Sequence, residues 1–252
     1  PARPREEIPG IEAKNGRLGF GGRMVLDGVD LAVEKGGRTA LLGKNGCGKS
    51  VLLKCVAGLI EGFQGEITVD GRDVRARAES GGASLAYVFQ KGGLFDSMDV
   101  FDNVAFGLRR RGVPEDRVGA IVGKALHSVG LAGSERKLPS ELSGGMQKRV
   151  GLARAVCLEP DIILYDDPTA GLDPILSDSI ADLILGISEG STSTSVIVTH
   201  DLKLVEKVAR EVALMYGGRI VFHGAVGDFF SGGDEYARQF IDGETEGPID
   251  IY

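Results

Sequence analysis

Thr39-Ala-Leu-Leu-Gly-Lys-Asn-Gly-Cys-Gly-Lys-Ser50 runs from an apolar stretch into a glycine-rich loop, and a helical pattern follows from Lys49 to about Ala57. Buried strand, loop and helix in that order form the context in which such a loop binds phosphate. The glycines let backbone N–H groups curl around phosphate oxygens, and the N-terminus of the helix adds its positive end. In this Walker A reading, Gly43, Asn45, Gly46, Cys47, Gly48 and Val51 form the cradle of a nucleotide. Lys49 neutralises β- and γ-phosphate charge, and Ser50 offers a hydroxyl to Mg²⁺. The competing reading, a glycine-rich turn with a chance Lys-Ser pair, does not account for the strand before it and the helix after it.

Working outward, residues 11 to 42 read as short strands, Gly65–Gly71 as a strand and turn, and Ser84–Phe89 as a strand. From Gln90 to about Cys157 the pattern is helical, with Pro114 starting one helix and acidic residues in its first turn. Met146, Val150, Ala153 and Cys157 recur at helical spacing and predict one apolar face. Strands then alternate with helices: Asp161–Tyr165, a helix over 174–189, Ser195–Thr199, a helix over 202–209, then Val212–Tyr216 and Arg219–Phe222. That order predicts an α/β fold with a mostly parallel sheet, helices on its faces and a helical insertion over about 91–155.

Composition narrows the function. At 252 residues the chain is one large domain, or one domain with a substantial insertion. No apolar run approaches the roughly eighteen residues of a membrane span, and Pro1–Glu7 lacks an apolar leader. The net charge of −7 argues against general nucleic-acid binding. The cysteines Cys47, Cys55 and Cys157 have no metal-ligand spacing and read as reduced thiols. With 39 glycines, the chain carries about twice the usual ~7% share, many in turn-like pairs such as Gly21-Gly22, Gly81-Gly82 and Gly217-Gly218.

Two further stretches carry chemistry. Ile162-Ile-Leu-Tyr-Asp166 is an apolar strand ending in an acid, a Walker B pattern in which Asp166 orients Mg²⁺ and its water. Leu142-Ser-Gly-Gly-Met146 opens a helix whose amides can point at phosphate. Together with the Walker A loop this set resembles the ATP-binding-cassette (ABC) family. There, Ser143, Gly144 and Gly145 of one subunit close over the ATP held by the other, so dimerisation and ATP binding are linked.

The resemblance implies more. The fold is expected to be a P-loop NTPase ABC cassette: a mostly parallel core sheet, an N-terminal antiparallel β subdomain and an inserted helical subdomain. Residues 1–252 then form one cassette, with about 11–90 and 158–224 as core and β subdomain, about 91–157 as helical subdomain and 225–252 as C-terminal helix and tail. Gln90 resembles the Q-loop glutamine that touches Mg²⁺ or the attacking water. His200 resembles the histidine that contacts the γ-phosphate, and Asp173 in Ala170-Gly-Leu-Asp173 the D-loop acid that pairs subunits. Phe20 resembles the aromatic that stacks on adenine, against the alternative of a core phenylalanine. His127 and His223 have no such context.

Asp167 departs from the family, in which a glutamate follows the Walker B acid and polarises the attacking water. The carboxylate is kept, but set back by roughly 1–1.5 Å, a misplacement that can cost about 10²-fold in rate. Either hydrolysis is slow, or the local backbone compensates, or the shorter acid holds an ATP-bound state.

Within the family, Tyr87-Val-Phe-Gln-Lys-Gly-Gly-Leu-Phe-Asp-Ser-Met98, the following Val100–Ala105 and the tail Arg238-Gln-Phe…Gly-Pro-Ile249 resemble the ATPases of Mce-type lipid transporters, the bacterial Mla group and its plastid relative. The 70–84 segment is shorter than in that group, and Pro168–Asp173 carries the common ABC wording. This resemblance implies an ATPase homodimer, ATP and Mg²⁺ as cofactors, and an integral-membrane permease whose short helix docks beside the Q-loop. Lys91–Val104 is the expected groove wall, with Phe95, Met98 and Phe101 either exposed there or packed in the core. A small accessory subunit and a lipid-binding Mce-type protein are implied as further partners. The implied location is the cytoplasmic face of a bacterial inner membrane, or the stromal face of the plastid inner envelope. The acidic tail is expected either to clasp the second subunit or to be a solvated end. The alternatives to phospholipid transport are a polar-solute importer and a hydrolysis-impaired regulatory module.

Overall fold

The computed structural model describes residues 8–76 and 83–250. Pro1–Glu7, residues 77–82 within the 70–84 segment, which include the Gly81-Gly82 pair, and residues 251–252 lie outside the described residues. The chain divides into two compact units, one made of the residues up to Ala83 together with those from Ser193 onward, the other of Ser84–Thr192.

The first unit holds an antiparallel sheet of order β2-β1-β4-β5, built from β1 (Ile11–Phe20), β2 (Arg23–Val33), β4 (Gln64–Val69) and β5 (Arg72–Asp73). The strands expected to be short are not: β1 and β2 have 10 and 11 residues. Their register shifts near Ala13, Gly16 and Leu18, and such bulges hide a continuous strand from a period-two reading. The hairpin turns on Gly21-Gly22 at φ 56° and 81°, the two positive values a two-residue turn of right-handed strands needs.

β3 (Arg38–Gly43) pairs in parallel with β8 (Thr194–Val198) and β9 (Glu211–Tyr216), and β10 (Arg219–Ala225) runs antiparallel to β9. Thr39, Ala40, Leu41 and Leu42 are fully buried, as expected of a strand covered on both faces. Around it lie α1 (Lys49–Val56), α6 (Leu202–Val208), α7 (Val226–Phe230) and α8 (Glu235–Asp242). Ala40, Leu42, Val205, Val212, Leu214, Phe229 and Ala237 form one core cluster. Each large apolar side chain buried there contributes about 1.5–3 kcal/mol.

The tail is anchored at Ile249, while its acidic stretch over residues 242–247 is exposed. Ile249 is buried and belongs to the core cluster. Gln239, itself 4% exposed, holds the Ile249 backbone from both sides: its Oε1 accepts from Ile249 N–H at 2.7 Å and its Nε2 donates to Ile249 C=O at 3.0 Å. Gly247, at φ 150°, passes so close that a Cβ would lie 2.5 Å from Gln239 Cδ. Gln239 and Gly247, two of the residues on which the tail's resemblance rests, form this clamp around Ile249.

The second unit contains a parallel pair, β6 (Leu85–Val88) and β7 (Ile162–Asp166), with α2 (Val100–Arg110), α3 (Glu115–Ser128), α4 (Gly144–Val156) and α5 (Pro174–Glu189). Pro114 precedes α3 and places Glu115 and Asp116 in its first turn, as the sequence reading expects. Gln90 does not open a helix directly. Residues 89–99 are turns, and α2 starts at Val100 with Asp99 as its cap. Buried Asn103 fixes those turns: its Oδ1 accepts from Phe95 N–H, and its Nδ2 donates to the carbonyls of Phe95, Met98 and Asp99. Helix α4 is enclosed on more than the one expected face, because Gly145, Lys148, Leu152 and Ala155 are buried besides Val150 and Ala153. Among the described residues no helix is long and apolar enough to cross a membrane.

Candidate functional site

The phosphate-loop residues lie between β3 and α1. Gly43, Gly46 and Gly48 have φ of 144°, 80° and 110°, values that L side chains rarely adopt. At Gly43 a Cβ would also lie 2.3 Å from the Met215 carbonyl oxygen, whereas at Gly46 it would meet nothing within 4 Å. The loop is therefore wedged against β9 at its start and open at its crest. No side chain caps α1, so its first amides stay directed at the loop's concavity.

Lys49 is 8% exposed, and its Nζ donates to the carbonyls of Gly43 at 2.7 Å and Lys44 at 3.0 Å. This brings a full positive charge across the mouth of the loop. Cys47 Sγ lies 4.0 Å from that ammonium. Burial pushes the Cys47 thiol up, against the opposing pull of Lys49, so it stays protonated near neutrality. A cavity of about 560 Å³ flanks the loop, lined by Arg23–Val25, Lys44–Cys47, Tyr216–Gly218 and Asp250.

Phe20 is 51% exposed at the hairpin tip, which rules out the core alternative. His200 is exposed at the end of β8, in a turn fixed by Thr199, whose Oγ1 accepts from Asp201 N–H at 3.1 Å. Asp201 in turn caps α6.

In the second unit, β7 is buried throughout and delivers Asp166 at its end. Tyr87 on the neighbouring strand β6 donates its O–H to Asp166 Oδ2 at 2.8 Å, and burial together with this bond raises the Tyr87 pKa, so the phenol remains a donor. Sequence reasoning gave Tyr87 no role, because a tyrosine in a strand reads as packing. Its one available signal was its place across the parallel pair, where it is in register with Leu164, two residues before Asp166.

Asp167 is half-buried at φ 50°. Aspartate tolerates that left-handed backbone better than most residues. The Gln90 amide reaches Asp167 Oδ2 at 3.4 Å, so the two side chains expected to handle the attacking water meet in the structure. Ser143 caps α4 through a bond from Met146 N–H, with Ser143 and Gly144 exposed at its tip. Asp173 caps α5 by accepting from Ile175 and Leu176 N–H, a structural task beside the pairing task expected of it. The expected groove wall is mixed. Phe95 is 40% exposed and stacks on Phe106, Phe101 lies under the Arg109 guanidinium, and Met98, Asp102, Phe106, Arg109 and Arg110 line a cavity of about 400 Å³.

The family model described as ABC transporter matches residues 26–170. The intermembrane phospholipid transport system ATP-binding protein MlaF of Haemophilus influenzae is 37% identical over 244 residues, 95% of this chain and 92% of its own length. MlaF of Escherichia coli K12 is 38% identical over 91% of this chain and 87% of its own, and the chloroplastic protein trigalactosyldiacylglycerol 3 of Arabidopsis thaliana is 36% identical over 95% and 75%. Among solved structures, cbiO1 of Clostridium perfringens, part of the ABC transporter complex cbiONQ, superposes with a TM-score of 0.79 at 29% identity, covering 89% of this chain and 92% of that one.

Proposed function

The chain belongs to the ABC transporter family and is an ATPase of that family, and we propose that it drives a phospholipid-moving permease of the Mla type as a homodimer closing around two ATP. The observation that carries the phospholipid reading is the 37–38% identity to MlaF proteins over nearly the whole chain. In this reading Lys49 and the α1 amides bind the phosphates, and Phe20 stacks on the base. Asp167 accepts a proton from the attacking water while Gln90 and His200 orient it, and Ser143–Gly145 serve the partner subunit's nucleotide. Asp166, Ser50 and Gln90 present oxygen atoms, the donor chemistry that suits Mg²⁺, which supplies charge neutralisation at the phosphates when bound. The cavity beside Met98 and Phe106 receives a permease helix, and the ATPase sits at the membrane through that partner.

A second reading has a specific basis. The mycobacterial relative named probable ribonucleotide transport ATP-binding protein mkl, from Mycobacterium leprae, is 37% identical over 247 residues. Reconstitution with the cognate permease in liposomes separates the two. ATP-dependent movement of a labelled phospholipid is the expected result, whereas ATP-dependent ribonucleotide uptake without lipid movement would replace it with the polar-solute reading.

The Tyr87–Asp166 bond yields a further expectation. Tyr87→Phe removes a hydrogen bond to a charged acceptor, worth about 1.5–3 kcal/mol, part of which solvent restores. The Mg²⁺ concentration for half-maximal hydrolysis is expected to rise about fivefold with little change in maximal rate. A Mg²⁺ titration identical to that of the unmodified protein would remove Tyr87 from the site.

A further inference from the structure

Helix α4 begins at the exposed Ser143-Gly144 tip, with Gly145 buried behind it, and carries three basic residues inward. Lys148 is 8% exposed, and its Nζ donates to the Pro168 carbonyl at 2.9 Å, one residue past Asp167. Burial disfavours its ammonium, and the Asp167 carboxylate is the charge that favours it. Arg149 reaches Val129 C=O at 3.0 Å and Ser179 Oγ on α5 at 2.8 Å. Arg154 donates to the carbonyls of Gly93 at 2.7 Å and Gly92 at 2.9 Å, in the turns that follow Gln90. Gly151 lies against the same turn, where a Cβ would sit 3.1 Å from Gly92 O. The helix that presents the signature therefore also grips the loop behind Asp167 and the loop behind Gln90.

We propose that Lys148 is a positioning residue that ties the signature helix to the loop carrying Asp167, so that the tip offered to one nucleotide and the acid acting on another move as one body. This deepens the ATPase reading and rests on the roles given there to Asp167 and Ser143–Gly145. A buried ammonium suits the task. Its ammonium donates to a main-chain oxygen of the loop and is drawn to the Asp167 carboxylate, so it acts on the backbone that carries the acid as well as on the acid's charge. An apolar residue of the same length would fill the space and release the loop.

The test uses the full-length protein with Lys148→Met and Lys148→Arg. For Lys148→Met, KM for ATP is expected to stay within about twofold while kcat falls about tenfold, the scale of a small misplacement of a reacting group. Lys148→Arg restores the donor and is expected to recover kcat to within about threefold. Amide hydrogen exchange reads the link without turnover. Lys148→Met is expected to speed exchange in the segment spanning 166–172 about fivefold or more, with α2 unchanged. An unchanged kcat in Lys148→Met overturns the proposal, as does exchange raised throughout 84–192 with Met and Arg equally slow, since the lysine would then only support the fold. If the unmodified protein itself fails to hydrolyse ATP, the ATPase reading falls while exchange at 166–172 still decides whether Lys148 holds the loop.

Discussion

Lys49→Ala is expected to lower ATP turnover by about 10³-fold or more, to the background of a phosphate-release assay. The Lys49 ammonium is a full positive charge at the mouth of the loop, held there by two backbone carbonyls, Gly43 and Lys44. Phosphate oxygens would take over the role of those carbonyls, so the charge is already aimed at the place where negative charge grows during transfer. Alanine deletes the charge and leaves both carbonyls for water to satisfy. The core is untouched, because the apolar side chains of α1, Leu52, Leu53 and Val56, remain in place. Thermal unfolding without nucleotide should therefore be nearly unchanged, while the stabilisation that ATP gives the unmodified protein disappears. A Lys49→Ala protein that keeps a tenth of the turnover would mean that hydrolysis occurs elsewhere.

Asp167→Asn is expected to lower turnover by about 10²–10⁴-fold with ATP affinity retained, the range for loss of a general base. Asparagine has the same shape and accepts the left-handed backbone at φ 50°, so geometry and folding stay constant and only the proton acceptor is lost. Asp167→Glu is expected to raise turnover several-fold, up to about tenfold, by extending the carboxylate toward the water. It also places a longer side chain on a backbone that aspartate tolerates better, at a stability cost of about 1 kcal/mol. Together the two variants separate the readings that the sequence leaves open. An active parent lowered by Asn and raised by Glu makes Asp167 a working base. An inert parent rescued by Glu makes it a hold on the ATP-bound state.

The sequence disclosed what depends on local chain geometry. The phosphate loop was legible because glycines and one lysine at fixed spacing have few other uses, and the helix expected over 174–189 is α5. What stayed hidden depends on contacts distant in sequence. Tyr87 looked like strand packing until β6 paired with β7 and brought its hydroxyl to Asp166. Lys148 drew no reading, because a basic side chain gives no sign that it will be buried against a carbonyl twenty positions away. The tail read as polar and acidic, and only the Gln239 clamp shows that Ile249 packs while Glu244 and Glu246 stay exposed. The long hairpin was cut short by its own glycines, which the register shifts explain.

The first unit is assembled from the two ends of the chain, and this sets an order of events at the ribosome. β3 (Arg38–Gly43) needs β8 (Thr194–Val198) and β9 (Glu211–Tyr216), both made much later, as parallel neighbours before the loop that follows it has a wall to rest on. The Ser84–Thr192 unit is synthesised in between, and at about 5–20 residues per second β9 begins only about 1–4 s after that unit is complete. The phosphate loop thus waits, unsupported, until β9 is made, and the core beneath it closes only when Ile249 arrives. Nucleotide binding is consequently expected only once synthesis has passed β9 and Ile249: a protein stopped before them has a phosphate loop without the wall and core that support it.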